Sequence, residues 1–299
     1  YTINLTRNEY EADSVLFTNH DYFHEPALGH IKDKVTRVSK PEMMVYPEFH
    51  TYTQRHKIKN LFDDVDFDGG YYMMGSQFVG RGTRENPAII EIKRNKEEFL
   101  RVEATTYIFR RQTLMSNYAQ IRFKLENDSL FHTGLNFTYN DGDRLVTISP
   151  TDFLTTKSPI LSSYHNFSMT FGQIQWKLES DELTFGAPIG SSLGRAFFES
   201  NNFFNEEEFD MLMGRDEQHP LFAVANFTRK IQSKNFNVDE FSGFMRKSVE
   251  QTRVEVMRLA MLGYVFYESE TGSVQTLPKL YDAIRARGKF IDYDVLKFS

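Results

Sequence analysis

The stretch that decides the fold is "YAQIRFKLENDSLFHTGLNFTYNDGDRLVTIS", residues 118–149, in which apolar and polar side chains alternate. Successive side chains of an extended chain point to opposite faces. Ile121 and Phe123 therefore share one face, and the charged residues that alternate with them, Arg122 and Lys124, share the other. Alternating segments on both sides of Asp141-Gly142 predict a β-hairpin, because Asp-Gly favours a tight turn. One apolar face and one polar face are typical of antiparallel sheets.

The same alternation recurs between residues 80 and 190. The segment "AIIEIKRNKEEFLRVEA" predicts two strands joined at Arg94–Glu98, and "GQIQWKLESDELTFG" predicts a strand with Ile174, Trp176 and Leu178 on one face. The content of 28 Phe and 15 Tyr agrees with this, because aromatic side chains favour strands. We therefore predict an antiparallel β domain over residues 1–195, in the form of a sandwich, a jellyroll-like sheet or a solenoid-like sheet.

A second stretch, "NLFDDVDFDGGYYMMG" (residues 60–75), raises the question of a calcium site. The spacing of three aspartates matches the first part of a calcium loop: Asp64, Asp66 and Asp68. A full loop needs a bidentate Glu at its twelfth position, which is Gly75 here, and strand-like segments flank it in place of helices. We favour a turn in which Gly69-Gly70 supply positive φ beside a solvated acidic strand end. Whether the loop binds an ion stays open.

From about residue 200 the apolar spacing becomes that of helices. A short helix over Asp239–Met245, a longer helix, a hairpin turning at Glu270–Ser273 and a last helix follow one another. This order resembles a winged helix over "VDEFSGFMRKSVEQTRVEVMRLAMLGYVFYESETGSVQTL" (residues 238–277). We therefore predict a winged-helix-like domain over residues 196–299 and an α+β chain as a whole. Capping residues indicate where helices begin and end: Asn205 and Gly214, Ser248 and Gly263, Pro278 and Gly288.

A winged helix can bind DNA, and the candidate contact residues lie on the longer helix or just before it: Arg246, Lys247, Arg253 and Arg258. Glu250 and Glu255 share that surface, and residues 201–299 contain 13 Lys+Arg against 15 Asp+Glu. The whole chain carries a net charge of −6, whereas phosphate binding favours a basic excess. Packing or protein contact is therefore the favoured use of this domain, and DNA binding is an alternative.

The sequence offers few features that indicate catalysis or metal binding. The absence of cysteine excludes disulfides, thiol catalysis and zinc–thiolate sites. His20 and His24 would lie about 13 Å apart in a strand, which is unsuited to a two-histidine metal site. No apolar run approaches the ~20 residues of a membrane-spanning helix, and no stretch carries a catalytic signature. We predict that the chain is not an enzyme and uses no cofactor or metal.

Five phrases together resemble segments of large uncharacterised proteins of Bacteroidota: "DSLFHTGLNFTYNDGDRLVTIS" (128–149), "SPILSSYHNFSMTFGQIQWKLES" (158–180), "FFESNNFF" (197–204), "HPLFAVANF" (219–227) and "LYDAIRARGKFIDYDVLKFS" (280–299). The resemblance covers most of residues 10–299 and implies a piece of a longer, strand-rich, envelope-associated chain with no catalytic residues to transfer. A shorter phrase, "EADSVLF" (11–17), is similar to strand openings in lipopolysaccharide-transport β-jellyroll proteins.

The leading hypothesis is a non-enzymatic structural, scaffold or protein-interaction module of a bacterial cell envelope assembly, located in the periplasm as the resemblance implies. Its partners would be proteins or further strands of the same longer chain, since uncovered sheet edges add strands. One alternative is a DNA-binding winged-helix regulator. Another is a glycan-binding or glycan-processing β domain that uses the aromatic residues of 164–171 and 198–204.

Overall fold

The computed structural model describes residues 1–20, 23–35, 44–53, 55–110, 112–151, 158–163, 165–186, 196–214, 218–295 and 297–298. The chain forms two compact units. The first unit comprises Tyr1–Asn127, Leu135–Ser149 and Ile174–Thr184, and the second comprises Asp128–Gly134, Pro150–Gln173 and Phe185–Ser299. Residues 128–134 and 150–173, which the sequence assigns to the β domain, therefore cluster with the helices.

The described residues form strands over nearly the whole first unit and part of the second. The strands are β1 Thr2–Asn4, β2 Glu9–Asn19, β3 Phe23–Lys34, β4 Glu48–Thr51, β5 His56–Phe62, β6 Val65–Met74, β7 Gln77–Arg81, β8 Ala88–Arg94, β9 Glu97–Ala104, β10 Thr106–Arg110, β11 Thr113–Leu125, β12 Asp128–Asn140, β13 Leu145–Pro150, β14 Ile160–Ser162, β15 Phe167–Thr170, β16 Gln173–Lys177, β17 Leu183–Gly186, β18 Phe197–Ser200, β19 Asn235–Asn237, β20 Val265–Glu268, β21 Ser273–Thr276 and β22 Lys297–Phe298. The helices are α1 Glu206–Met213, α2 Pro220–Ile231, α3 Val238–Met245, α4 Val249–Met261 and α5 Pro278–Arg287.

In the first unit, long strands alternate with pairs of short ones. Strand β6 pairs with β5 and β8 along its first half and with β4 and β7 along its second half. The short strands β8 and β7 pair in turn with β9 and β10, and both of these pair with the long strand β11. All of these pairings are antiparallel, which confirms the predicted sheet class. Two ladders of short strands thus run between β6 and β11.

The core of the first unit consists of aligned rows of side chains. Cross-strand partners form one row through β6, β8, β9 and β11: Phe67, Ile90, Val102 and Ile121. A second row lies two residues away: Val65, Ile92, Leu100 and Phe123. All eight side chains are fully buried. Strict alternation along each strand produces these rows, because residues two apart face the same side.

The prediction of a glycine turn after the aspartates is wrong. The turn falls at Asp63–Asp64, where Asp64 has φ of 65°, and Gly69 and Gly70 lie inside β6. A Cβ on Gly69 would lie 2.6 Å from the Cβ of Ala88 and 2.8 Å from Cζ of Phe67. The glycine at this position therefore makes room for close packing, whereas the left-handed turn uses an aspartate, which tolerates that conformation.

In the second unit the predicted helix ends are confirmed. Asn205 caps α1, which ends at Gly214, and Ser248 forms a capping box with Gln251 at the start of α4. A three-stranded antiparallel sheet in the order β19–β21–β20 accompanies α3, α4 and α5. A single apolar cluster lies between these elements and contains Phe227, Phe241 and Val256. None of the described helices combines the length and the apolar character that crossing a membrane requires.

Helix α2 is the element that the sequence analysis misses. Pro220 occupies its first turn, where a missing N–H costs nothing, and Nδ1 of His219 accepts a hydrogen bond from the Leu221 amide at 3.2 Å. Nε2 of His219 lies 2.8 Å from the carbonyl oxygen of Phe209, so the ring links α1 to the start of α2. Burial lowers the pKa of His219, which keeps the ring neutral, so that Nε2 donates to Phe209 while Nδ1 accepts the Leu221 amide.

Candidate interaction surfaces

The first candidate is the acidic stretch at the start of β6. Asp66 is only 5% exposed, so the expectation of a solvated acidic strand end is wrong for this residue. Its carboxylate contacts Nζ of Lys93 at 2.6 Å and accepts the Asn60 amide at 2.9 Å. Burial acts to raise the pKa of Asp66, but these two hydrogen bonds outweigh it and the pKa is lowered. The site is a structural ion pair.

The other two aspartates also face cations of the first unit. Arg144 Nη2 lies 2.9 Å from Asp64 Oδ2, and Arg55 Nη1 lies 3.8 Å from Asp68 Oδ1. Within the described residues, no three groups of the kinds that ligate metals come together in a possible site. The side chain of His24, which the sequence pairs with His20, lies outside the described residues. The three carboxylates thus hold basic side chains from other parts of the first unit.

We expect the Lys93→Met variant to lose about 2 kcal/mol of the free energy of unfolding at pH 7, because Asp66 would stay buried without its cation. The pKa of Asp66 is depressed in the folded protein, so the stability it contributes is present above its unfolded pKa and disappears as the pH falls. The loss caused by Lys93→Met should therefore shrink on acidification. Urea unfolding at pH 7 and pH 3.5 measures both. A double variant with Asp66→Asn should be more stable than Lys93→Met alone, and equal stability would contradict this account.

The second candidate is the predicted DNA-contacting surface. Lys247 contacts Glu255 at 2.8 Å and is partly buried, and Arg258 donates to the carbonyl oxygen of Met211 at 3.1 Å. Arg246 ends α3 in the left-handed conformation, and it and Arg253 have exposed side chains. Two of the four predicted residues are therefore engaged within the unit.

The exposed face of α4 is also partly apolar. Val254 and Met261, which lie seven residues apart and so on one side of the helix, are exposed on either side of Arg258. Base recognition needs groups that donate or accept hydrogen bonds, which neither side chain provides. The hairpin after α4 carries acidic residues: Glu268 and Glu270. Apolar side chains at these positions favour contact with protein.

The third candidate is the outer edge of the first unit at β2. Strand β1 pairs only with Glu9–Glu11 of β2, whereas β3 pairs along nearly its whole length. Among the strands that the structure describes, no other lies on the β1 side of β2. Leu16 and Leu28 face each other across β2 and β3 and are 68% and 49% exposed. This edge combines open backbone with an exposed apolar pair.

A β-bulge interrupts this edge. Ala12 pairs with Ile31 and Val15 pairs with Gly29, so Asp13 and Ser14 together oppose His30. Ser14 has φ of 58°. Two residues against one, with a left-handed backbone, bend the strand and increase its twist locally. A second register shift follows between Phe17 and Asn19. Regular pairing with a further strand is therefore limited to the short segment that starts at Val15 and ends at Phe17.

Side chains of β2 and β3 and of Tyr52, the residue after β4, hold the bulge. Nδ1 of His30 lies 2.8 Å from Asp13 Oδ1, and Nε2 lies 3.1 Å from Glu11 Oε1. Tyr52 donates to Asp13 at 3.1 Å and accepts the Ser14 amide at 2.9 Å. Hydrogen bonds from His30 and Tyr52 lower the pKa of Asp13. Sequence analysis missed this cluster because its members are brought together only by the strand register.

Comparison with known proteins adds little. No family model and no curated protein matches the chain. Among solved structures, one similar chain is LptH, the LptA homologous periplasmic component of the conserved lipopolysaccharide transport device from Pseudomonas aeruginosa. The two share 12% identity with a TM-score of 0.30, over 41% of this chain and 82% of that chain. Similarity this low supports no conclusion about the fold or function of this chain.

Proposed function

We propose that the chain is a non-enzymatic structural and protein-interaction module whose first unit accepts a further β-strand along the outer edge of β2. The observation that carries this proposal is the open edge with its exposed Leu16–Leu28 pair. Unpaired backbone N–H and C=O groups of an edge strand bind an added strand, and apolar pairs across strands stabilise the contact. The added strand would come from a protein partner or from a longer form of the same chain.

The bulge gives the edge a defined docking segment. An edge that was regular along its whole length would pair with many strands and would aggregate, and bulges are one of the devices that prevent this. In β2 the bulge at Asp13–Ser14 confines pairing to the segment that starts at Val15. A partner strand would then place an apolar side chain against Leu16.

The second unit has a supporting role in this proposal. Its order of helix α2, strand β19, helices α3 and α4, and hairpin β20–β21 supports a winged-helix-like domain. The apolar residues exposed on α4 support its use for protein contact. A place in a bacterial cell envelope assembly, in the periplasm, follows from the resemblance to the Bacteroidota proteins and is part of the same proposal.

Photo-crosslinking tests the edge. A benzophenone amino acid at position 16 should crosslink a partner strand in the cells that produce the protein, whereas the same group at Lys124, exposed on β11, should give at most background. Mass spectrometry of the product should identify a segment with alternating apolar residues. Equal yields at positions 16 and 124, or crosslinking to nucleic acid alone, would refute the proposal. Amide exchange at Leu16 should also slow in the complex.

A further inference from the structure

A cavity of about 520 Å³ lies within the second unit, where β15 and β18 meet α1, α4 and the turn that follows α4. Binding sites for small molecules usually have volumes of about 300–1,000 Å³ and mainly apolar walls. Seven of its lining residues are phenylalanine, methionine or leucine: Phe197, Phe198, Phe203, Met211, Leu212, Met261 and Leu262. Met211 is 62% exposed and stands at the opening, so the cavity is accessible from solvent.

The wall of the cavity contains a tyrosine hydroxyl that can bond to a ligand. Tyr264 lines the cavity and is 8% exposed, and none of the described residues forms a hydrogen bond with its hydroxyl. Burial, together with the nearby carboxylates of Glu199 and Glu208, raises the pKa of Tyr264. A ligand group that hydrogen-bonds to this hydroxyl would gain the affinity of one further bond. The hydroxyl of Thr170, also on the wall, has no partner among the described residues.

The charged side chains that line the cavity balance in number, with Arg258 and Lys279 positive and Glu199 and Glu208 negative. The ammonium group of Lys279 pairs with the carboxylate of Glu199 and lies 5.3 Å from the centre of the Tyr264 ring. Arg258 donates to the carbonyl oxygen of Met211. A charged ligand would have to separate the Lys279–Glu199 pair or enter the cavity without a counter-ion, and both cost free energy. The cavity therefore favours an uncharged molecule.

From these contacts we infer that the cavity binds a small, uncharged aromatic molecule with one or two hydrogen-bonding groups. Its flat body would pack against the phenylalanine rings and the sulfur atoms of Met211 and Met261. Its polar group would bond to the hydroxyls of Tyr264 and Thr170. Phe198 and Phe203 belong to the aromatic stretch that the sequence suggests for carbohydrate, but a sugar would need a hydrogen-bond partner for each of its many hydroxyls. This site is independent of the β2 edge.

Fluorescence titration with N-phenylnaphthylamine tests the inference, because this probe is uncharged and aromatic and has one N–H group. We expect saturable binding of one molecule per chain. The anionic analogue anilinonaphthalenesulfonate has a similar ring body and should bind at least about tenfold more weakly, because its charge must be buried. Equal affinity for the two probes, or an unsaturable signal, would overturn the assignment.

Two variants of α1 locate the site. Met211→Trp places a large side chain at the opening and should weaken probe binding by about tenfold or more. Met213→Trp, on the same helix at a residue that is 40% exposed and does not line the cavity, should change binding by less than about twofold. Tyr264→Phe removes only the hydroxyl and should weaken binding about three- to tenfold, the range of one hydrogen bond. Equal effects of the two tryptophan variants would place the probe elsewhere and refute the inference.

Discussion

The Trp176→Ala variant is expected to lose about 3–5 kcal/mol of the free energy of unfolding, the range for truncating a fully buried aromatic side chain. The centre of the indole ring lies 4.6 Å from that of Phe99 and 6.1 Å from that of Phe123. Its Nε1–H donates to the carbonyl oxygen of Ser180 at 3.1 Å. Truncation would open a large cavity and leave this carbonyl without its partner. The three rings lie on different strands of the first unit, so the lost ring contacts are long-range.

Urea unfolding followed by circular dichroism measures this loss. Trp176→Phe is the matched control, because phenylalanine keeps most of the ring contacts and loses mainly volume and the bond to Ser180. We expect the control to lose about 1–2 kcal/mol. A loss below about 1 kcal/mol for Trp176→Ala would mean that Phe99 and Phe123 close the cavity, and would contradict a rigid core at this position.

Sequence alternation predicts which side chains of the first unit are buried. Ile121, Phe123, Ile174 and Trp176 are all buried as predicted, because the direction of a side chain depends only on its place in an extended strand. The order of the strands in the sheet, in contrast, cannot be predicted from the alternation. The pairing of β6 with four short strands depends on contacts between residues far apart in sequence, and no local pattern records these contacts.

Local signals also explain which helices the sequence predicts. Helices α1, α4 and α5 carry capping residues and a one-sided apolar stripe. Helix α2 also has a one-sided apolar face, because Leu221, Val224 and Phe227 are buried whereas Asn226 and Lys230 are exposed. Its N-cap is His219, which is not among the residues that usually cap helices. The apolar spacing and Pro220 at the first position were therefore the available signals.

The candidate surface at β2 could not be predicted from the sequence because it depends on a β-bulge and on the register between strands. His30 and Asp13 come from β3 and β2, and Tyr52 directly follows β4; their contact depends on the bulge that shifts the register of β2. Nothing in "EADSVLF" signals an inserted residue, since neither glycine nor proline occurs there. An exposed leucine pair likewise arises only when the register sets Leu16 opposite Leu28.

Acidification is expected to destabilise the second unit through His132. This residue is fully buried, and its ring lies 4.9 Å from that of Phe266. Nε2 lies 3.2 Å from the Ser158 carbonyl oxygen, so the neutral ring donates from Nε2. Burial, opposed in part by the hydrogen bond to Ser158, lowers the pKa of His132 to about 4. The folded protein therefore resists protonation of this ring.

The sign of the effect follows from the two pKa values. Between pH 6.5 and pH 4 the unfolded chain binds a proton at His132 and the folded protein does not, so acid favours unfolding. The contribution of neutral His132 is complete above about pH 6.5 and is lost as the pH falls to 4. The loss amounts to about 3 kcal/mol. The pKa of His219 is also lowered by burial, so this residue should likewise make the second unit less stable as the pH falls.

His132→Phe isolates the effect of His132, because it removes the titrating group and keeps an apolar ring against Phe266. This variant should be slightly less stable than the parent near pH 7.5, through loss of the bond to Ser158, but should lose about 3 kcal/mol less on going to pH 4. The described helices all lie in the second unit and the single tryptophan lies in the first, so helical circular dichroism and Trp176 fluorescence follow the units separately. The difference between the two proteins should appear in the helical signal. Parallel pH profiles for parent and variant would show that the pKa of His132 is not lowered in the folded protein, and would refute the prediction.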